Sequence, residues 1–122
     1  MIKFRAWDKT TSSYRKVLGI EFYPDGQIKK VKVGGLQRKA TITPDQLVLE
    51  QFTGLKDVNG KEIYEGDILE NRKYRSIVKF ASGKFLADLI ETIQTFDLIG
   101  ETHGSKVIGN VHENPELLEA GK

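Results

Sequence analysis

Glu62, Glu65 and Asp67 are the residues of this chain whose types and spacing come closest to a reactive set. Neighbouring carboxylates exchange protons or hold hard cations, so the chemistry they would serve is a metal-dependent hydrolysis. Just before them, Asp57-Val58-Asn59-Gly60 has the composition of a calcium loop without its spacing. An EF-hand loop puts glycine sixth and a bidentate glutamate twelfth, whereas here glycine is fourth and Ile68 is twelfth. The plainer reading makes Asp57, Asn59 and Asp67 turn formers and sets Glu62 and Glu65 on a solvated strand face. His103 and His112 stand nine residues apart, without the H-x-x-x-H spacing of a metal pair. Cysteine is absent, which removes disulfides, thiolate ligands and thiol nucleophiles together. There is no G-x-S-x-G elbow, no G-x-x-x-x-G-K-[ST] and no G-x-G-x-x-G. The residues therefore point away from catalysis, with no metal, cofactor or small-molecule substrate expected.

The cations form the second candidate set. Lys3, Arg5 and Trp7 share one face of an alternating segment, as do Lys30 and Lys32, and Arg72, Lys73 and Arg75 surround Tyr74 in a connecting loop. Positive charge interleaved with aromatic rings is what a nucleic-acid surface needs, the charge for phosphates and the rings for bases. Against this, the outer face of any half-buried strand carries lysine and arginine for solubility and to discourage edge pairing. Trp7 reads as a core or interface side chain ahead of a stacking platform.

Net charge is +2, but it is unevenly spread. Residues 1–46 hold ten Lys/Arg against four Asp/Glu, a net +6, and residues 47–122 hold nine against thirteen, a net −4. The basic part would meet a polyanion, or the acidic part of another copy. With 39% hydrophobic and 30% charged residues, the chain is globular in composition. No apolar run approaches the roughly eighteen residues of a membrane span. The N-terminus alternates instead of forming a signal-peptide core, so a cytoplasmic location with no membrane partner is expected.

Period-two alternation dominates the elements that must position these residues. Ile2, Phe4 and Ala6 oppose Lys3, Arg5 and Trp7, and a second strand over Tyr14–Phe22 runs into the turn Pro24-Asp25-Gly26. Strands over Gln27–Val33 and Leu36–Ile42 flank Gly34-Gly35. Thr43-Pro44-Asp45-Gln46 has the form of a helix start, read as one short turn leading into a strand. Asn59-Gly60 predicts a two-residue hairpin, and Ser82-Gly83 another. Further strands are expected near Glu62–Glu65, Ile68–Asn71, Ser76–Phe80, Lys84–Ile90, Ile93–Ile99 and Lys106–Val111. Short strands about ten residues apart predict a small closed or half-closed barrel. Asn114-Pro115-Glu116 would cap a short C-terminal helix carrying Leu117 and Leu118, ended by Gly121. The expected architecture is mainly β: a basic meander over 1–46, then a barrel region over 47–122 with its helix, the whole forming one structural unit with no long linker.

Three blocks, Ile2–Asp8, Gln51–Ile68 and Val107–Leu118, together resemble the YopX-like family of phage and prophage proteins. The resemblance spans nearly the whole chain, with Gly19–Pro44 and Arg72–Ser105 individual to it. It implies an SH3-like barrel in the C-terminal part behind a β-rich N-terminal region, and a source in a temperate phage or prophage. It implies no catalytic residues, because the shared motifs read as scaffold. Asn59-Gly60 and Gly66-Asp67 turn the chain, Ile63, Tyr64 and Ile68 feed a core, and Asn114-Pro115 starts the last element. The expected role is a non-enzymatic binding or assembly protein that self-associates as a homo-oligomer. The alternative is a nucleic-acid-binding accessory factor, and the remote one a metal-dependent hydrolase on Glu62, Glu65 and Asp67.

Overall fold

The structure, a computed structural model, describes residues 3–34 and 39–119. The chain divides into two compact units, one ending at Gln51 and the other beginning at Phe52. The boundary lies five residues beyond the 46/47 division expected from charge, inside a strand that continues from one unit into the next.

In the first unit, β1 (Phe4–Asp8), β2 (Ser13–Phe22), β3 (Ile28–Gly34), β4 (Ala40–Ile42) and the first half of β5 (Leu47–Lys56) form an antiparallel sheet in the order β4-β3-β2-β1-β5. Alternation sends Ala6, Val31, Val33 and Leu47 to one face, where Val17, Ile20, Ile28, Ala40, Ile42 and Leu49 pack around them. Val31 and Val33 are completely buried, each contributing about 1.5–3 kcal/mol. Register puts the other residues together on the opposite face: Arg5 faces Lys16 and Glu50, Trp7 faces Tyr14 and Val48, and Lys32 faces Gly19 and Thr41. Pairing shifts between Val17 and Gly19, a bulge that leaves Leu18 exposed.

Of the expected strand over Leu36–Ile42, Ala40–Ile42 is strand, and residues 36–38, with Gly35 of the expected hairpin, lie outside the described residues. Pro44–Gln46 is a single 3-10 turn, closed by the Gln46 amide on the Thr43 carbonyl at 3.0 Å, and the chain enters β5 directly.

In the second unit, β6 (Glu62–Tyr64) pairs with the latter half of β5. β7 (Asp67–Glu70), β8 (Arg75–Ala81), β9 (Lys84–Leu89), β10 (Thr95–Asp97) and β11 (Lys106–Asn110) make a sheet in the order β10-β9-β8-β7-β11. Leu69, Val78 and Ala87 from its strands pack with Ile63 of β6 and with Leu98, which follows β10 in the 3-10 turn Leu98–Gly100. Leu55, Phe85 and Val107 complete this core.

Three expectations need correction. The barrel does not close, because β10 and β11 are opposite edges of an open sheet. The C-terminal helix is a single 3-10 turn, Pro115–Leu118, and among the described residues there is no α-helix. Asn114 makes no side-chain cap there. Its Oδ1 accepts from the Asn110 amide at 3.2 Å, and one turn without a cap does not propagate. Gly121 lies outside the described residues. The third is the Asn59-Gly60 hairpin, which is a five-residue loop between Lys56 and Glu62, closed by the Asp57 amide on the Lys61 carbonyl, with only Gly60 left-handed. Ser82-Gly83 is the tight turn, with both residues at positive φ between the paired Ala81 and Lys84. No helix among the described residues is long and apolar enough to cross a membrane.

Candidate binding surfaces

On the outer face of the first sheet, Arg5 and Trp7 are bound into their surroundings. The Arg5 Nε donates to Glu50 Oε1 at 2.8 Å, and the Tyr14 hydroxyl donates to the same oxygen at 2.8 Å. The guanidinium lies 4.4 Å from the Tyr14 ring centre, and Trp7 meets that ring edge-on at 5.1 Å. Glu50 is buried, so this cluster is a neutralised, partly desolvated knot across β1, β2 and β5. Lys3 is exposed at the entry to β1.

Lys30 and Lys32 differ. Both are exposed on β3 and make no ion pair among the described residues. Lys16 shares their face and their exposure through the pairings Lys16↔Gly34, Gly19↔Lys32 and Glu21↔Lys30. It stands opposite Arg5, and the alternation of β2 carries the signal that would have found it. Around Lys30 and Lys32, Gly19, Ile20, Glu21 and Thr41 complete a shallow open groove of about 280 Å3.

The buried face of this sheet holds an ion pair that sequence patterning did not single out. Arg15 Nη1 lies 3.4 Å from Asp8 Oδ2, both side chains being buried. Asp8 Oδ1 accepts from the Thr10 amide at 2.9 Å and its hydroxyl at 2.6 Å. Burial pushes the Asp8 carboxyl up, but the Thr10 and Arg15 hydrogen bonds outweigh it and hold the group below its ordinary range.

In the second unit, Tyr74 is not a ring ringed by free cations. Its hydroxyl donates to Glu101 Oε1, which raises its pKa, and its ring lies 5.9 Å from Phe96. Asn71 Oδ1 shapes the loop by accepting from the Lys73 and Tyr74 amides at 2.8 and 2.9 Å. Arg75 belongs to β8, with its Nε 3.0 Å from Glu70 Oε2, while Arg72 and Lys73 are exposed in the loop. These three residues are therefore not one cationic cluster.

Glu62, Glu65 and Asp67 lie in one stretch of chain but differ in burial. Asp67 is buried and its Oδ2 accepts from the Tyr64 amide at 2.8 Å, shaping the Gly66 turn. Glu62 and Glu65 are half-buried. Among the described residues no three acidic or imidazole side chains are grouped to hold a metal. Asp57 is held by three backbone amides. Its Oδ1 accepts from the Asn59 and Lys61 amides at 2.8 and 2.9 Å, and its Oδ2 from the Val107 amide at 2.9 Å. Burial acts to raise its pKa, and the three backbone amides prevail and lower it.

The Val107 contact has a second consequence. Val107 is on β11, the edge of the sheet, and the Asp57 carboxylate occupies a donor that another strand would need. The Val58 amide takes the Ser105 carbonyl at 3.1 Å, and pairing shifts between Val107 and Gly109. The β11 edge is thus sealed. At the other edge, β10 is wholly exposed, and three apolar side chains accompany it: Ile93 at 101% exposure, Phe96 at 38% and Ile99 at 68%.

A family model described as YopX protein matches residues 3–119. Two solved structures resemble the chain along its whole length. Protein EF1440 from Enterococcus faecalis is 29% identical, with a TM-score of 0.69 over 98% of this chain and 99% of that one. Protein yopX from Bacillus subtilis is 22% identical, with a TM-score of 0.64 over 98% of this chain and 97% of that one, a likeness of fold. No curated protein matches. The family match runs from the residue before β1 to the residue after the last 3-10 turn, and the chain belongs to the YopX protein family.

Proposed function

We propose that this chain is a non-enzymatic assembly protein of a temperate phage or prophage, acting in the bacterial cytoplasm by joining copies of itself through the β10 edge. The observation that carries this reading is the contrast between the two edges of the second sheet. β11 is closed by Asp57, Val58 and a bulge, whereas β10 carries none of these devices and lies in a run with Ile93, Phe96 and Ile99 exposed. Native sheets guard their edges with inward charges, lysine or proline, and β10, Thr95-Phe96-Asp97, has neither lysine nor proline.

A second copy fits this edge chemically. An antiparallel two-fold pairing centred on Phe96 sets ring against ring and Thr95 opposite Asp97. The nearby charges are already balanced, with Lys84 2.8 Å from Asp97 and Lys79 2.8 Å from Asp88, so two copies approach without like charges opposed. Three residues make a short ladder, so the contact is a modest one, below the roughly 1,200 Å2 of a standard interface. The five-stranded sheet of the second unit is read as an opened relative of SH3-type barrels, its open edge serving as the joint.

Sedimentation equilibrium over a concentration series tests this. Ile93→Lys, at a fully exposed position, should weaken association at least tenfold without altering the thermal transition. A wild-type chain that stays monomeric at high concentration, or an Ile93→Lys variant that associates like the wild type, removes the reading.

A further inference from the structure

We infer that the outer face of the first unit is a binding site for single-stranded nucleic acid, laid along β3. Lys16, Lys32 and Lys30 follow one another down this face, level with Gly34, Lys32 and Lys30 of β3. From Gly34 to Lys30 is four residues, about 13 Å of extended chain, so the three ammonium groups form a line instead of a point. All three are exposed and unpaired among the described residues. The one acidic side chain of the groove, Glu21, is paired with Lys29 at 3.4 Å. Arg5, by contrast, is held by Glu50, so its charge is not available.

A line of charge would suit any polyanion, and an aromatic residue narrows the choice. At the β2–β3 hairpin, where the lysine line ends, Tyr23 is 49% exposed. Lys29 lies 5.8 Å from the Tyr23 ring centre. Exposed rings beside cations stack on unpaired bases, which a duplex keeps inside its own stack. The groove is open and shallow, with no recess for a folded small ligand, and Thr41 adds a hydroxyl on its far wall. The occupant is therefore an extended strand, with phosphates over Lys16, Lys32 and Lys30 and a base over the Tyr23 ring. This site is independent of the β10 edge, which belongs to the other unit.

Fluorescence anisotropy of a labelled oligothymidine of about twenty nucleotides, long enough to exceed a small site, tests the inference on the full chain. With three phosphates neutralised, the logarithm of affinity should fall with the logarithm of salt with a slope of about −2. Lys30→Gln/Lys32→Gln should weaken binding at least tenfold, and Lys30→Arg/Lys32→Arg should retain it. Tyr23→Ala should also cost about tenfold, while a duplex of the same length binds more weakly than the single strand. Ile93→Lys should bind as the wild type does, which separates this site from self-association. No binding at low salt, an undiminished Lys30→Gln/Lys32→Gln variant with an unchanged melt, or equal affinity for duplex and single strand would each overturn it.

Discussion

Asp57 shows how much a single side chain of this scaffold can organise. It closes its own loop through two amides and, fifty residues on, holds the Val107 amide of β11. Hydrogen bonds to a charged group contribute about 1.5–3 kcal/mol each, so Asp57→Ala should destabilise the protein by about 3–5 kcal/mol in urea unfolding. The pH dependence follows from the lowered pKa. A carboxyl whose folded pKa is below its unfolded value of 3.8 stabilises fully above that value, and the contribution is lost as pH falls through the folded one. Stability should decline below about pH 4, and Asp57→Asn should flatten that acid limb in part, with Asp8, Asp45 and Asp88, whose carboxyls are also lowered, supplying what remains. Gly109 answers to the same logic from the other side. A Cβ there would lie 2.7 Å from Asn114 Cγ and 3.0 Å from its Cβ, pushing away the side chain that accepts from the Asn110 amide. Gly109→Ala should cost about 1–3 kcal/mol, measurable as a lowered denaturant midpoint. Sequence reading made Asp57 a turn former, which is correct locally. Its reach to Val107 is a tertiary contact, and no local pattern encodes it.

At the scale of elements, alternation was a reliable guide because a half-buried strand has to place every second side chain in the core. Ala6, Val31 and Val33 sit where that rule puts them. It also grouped Lys30 with Lys32. What alternation cannot supply is which strands become edges, since that depends on pairings between residues far apart in the chain. Closure of the barrel and the expected cluster of Arg72, Lys73 and Arg75 failed for this reason: β10 and β11 do not meet, and Arg75 turns into β8 beside Glu70. The shortest strands carry disproportionate weight. β6 has three residues, yet its Ile63 is completely buried in the second core. Ile63→Ala should therefore destabilise by about 2–5 kcal/mol, more than truncation of its half-buried neighbour Glu62, as read by chemical denaturation.

For the whole molecule, the two surfaces proposed here answer to different forces, and salt separates them. Residues up to Gln51 carry ten Lys/Arg and five Asp/Glu, a net +5, and those from Phe52 carry nine and twelve, a net −3. If copies joined by setting the basic unit of one against the acidic unit of another, association would fade as the Debye length shrinks from about 10 Å at 0.1 M to about 3 Å at 1 M. A joint made through β10 relies on backbone pairing and on Ile93, Phe96 and Ile99, beside carboxylates already matched by Lys79 and Lys84. Its association constant should change less than about threefold over that range, because apolar burial does not weaken with salt. Oligothymidine binding on the Lys16–Lys32–Lys30 line should fall by about a hundredfold over the same tenfold rise in salt. Sedimentation and anisotropy, run on the same samples, should therefore diverge as salt increases. If the two decline in parallel, the copies are held by the charge difference between units, and the β10 edge is not the joint.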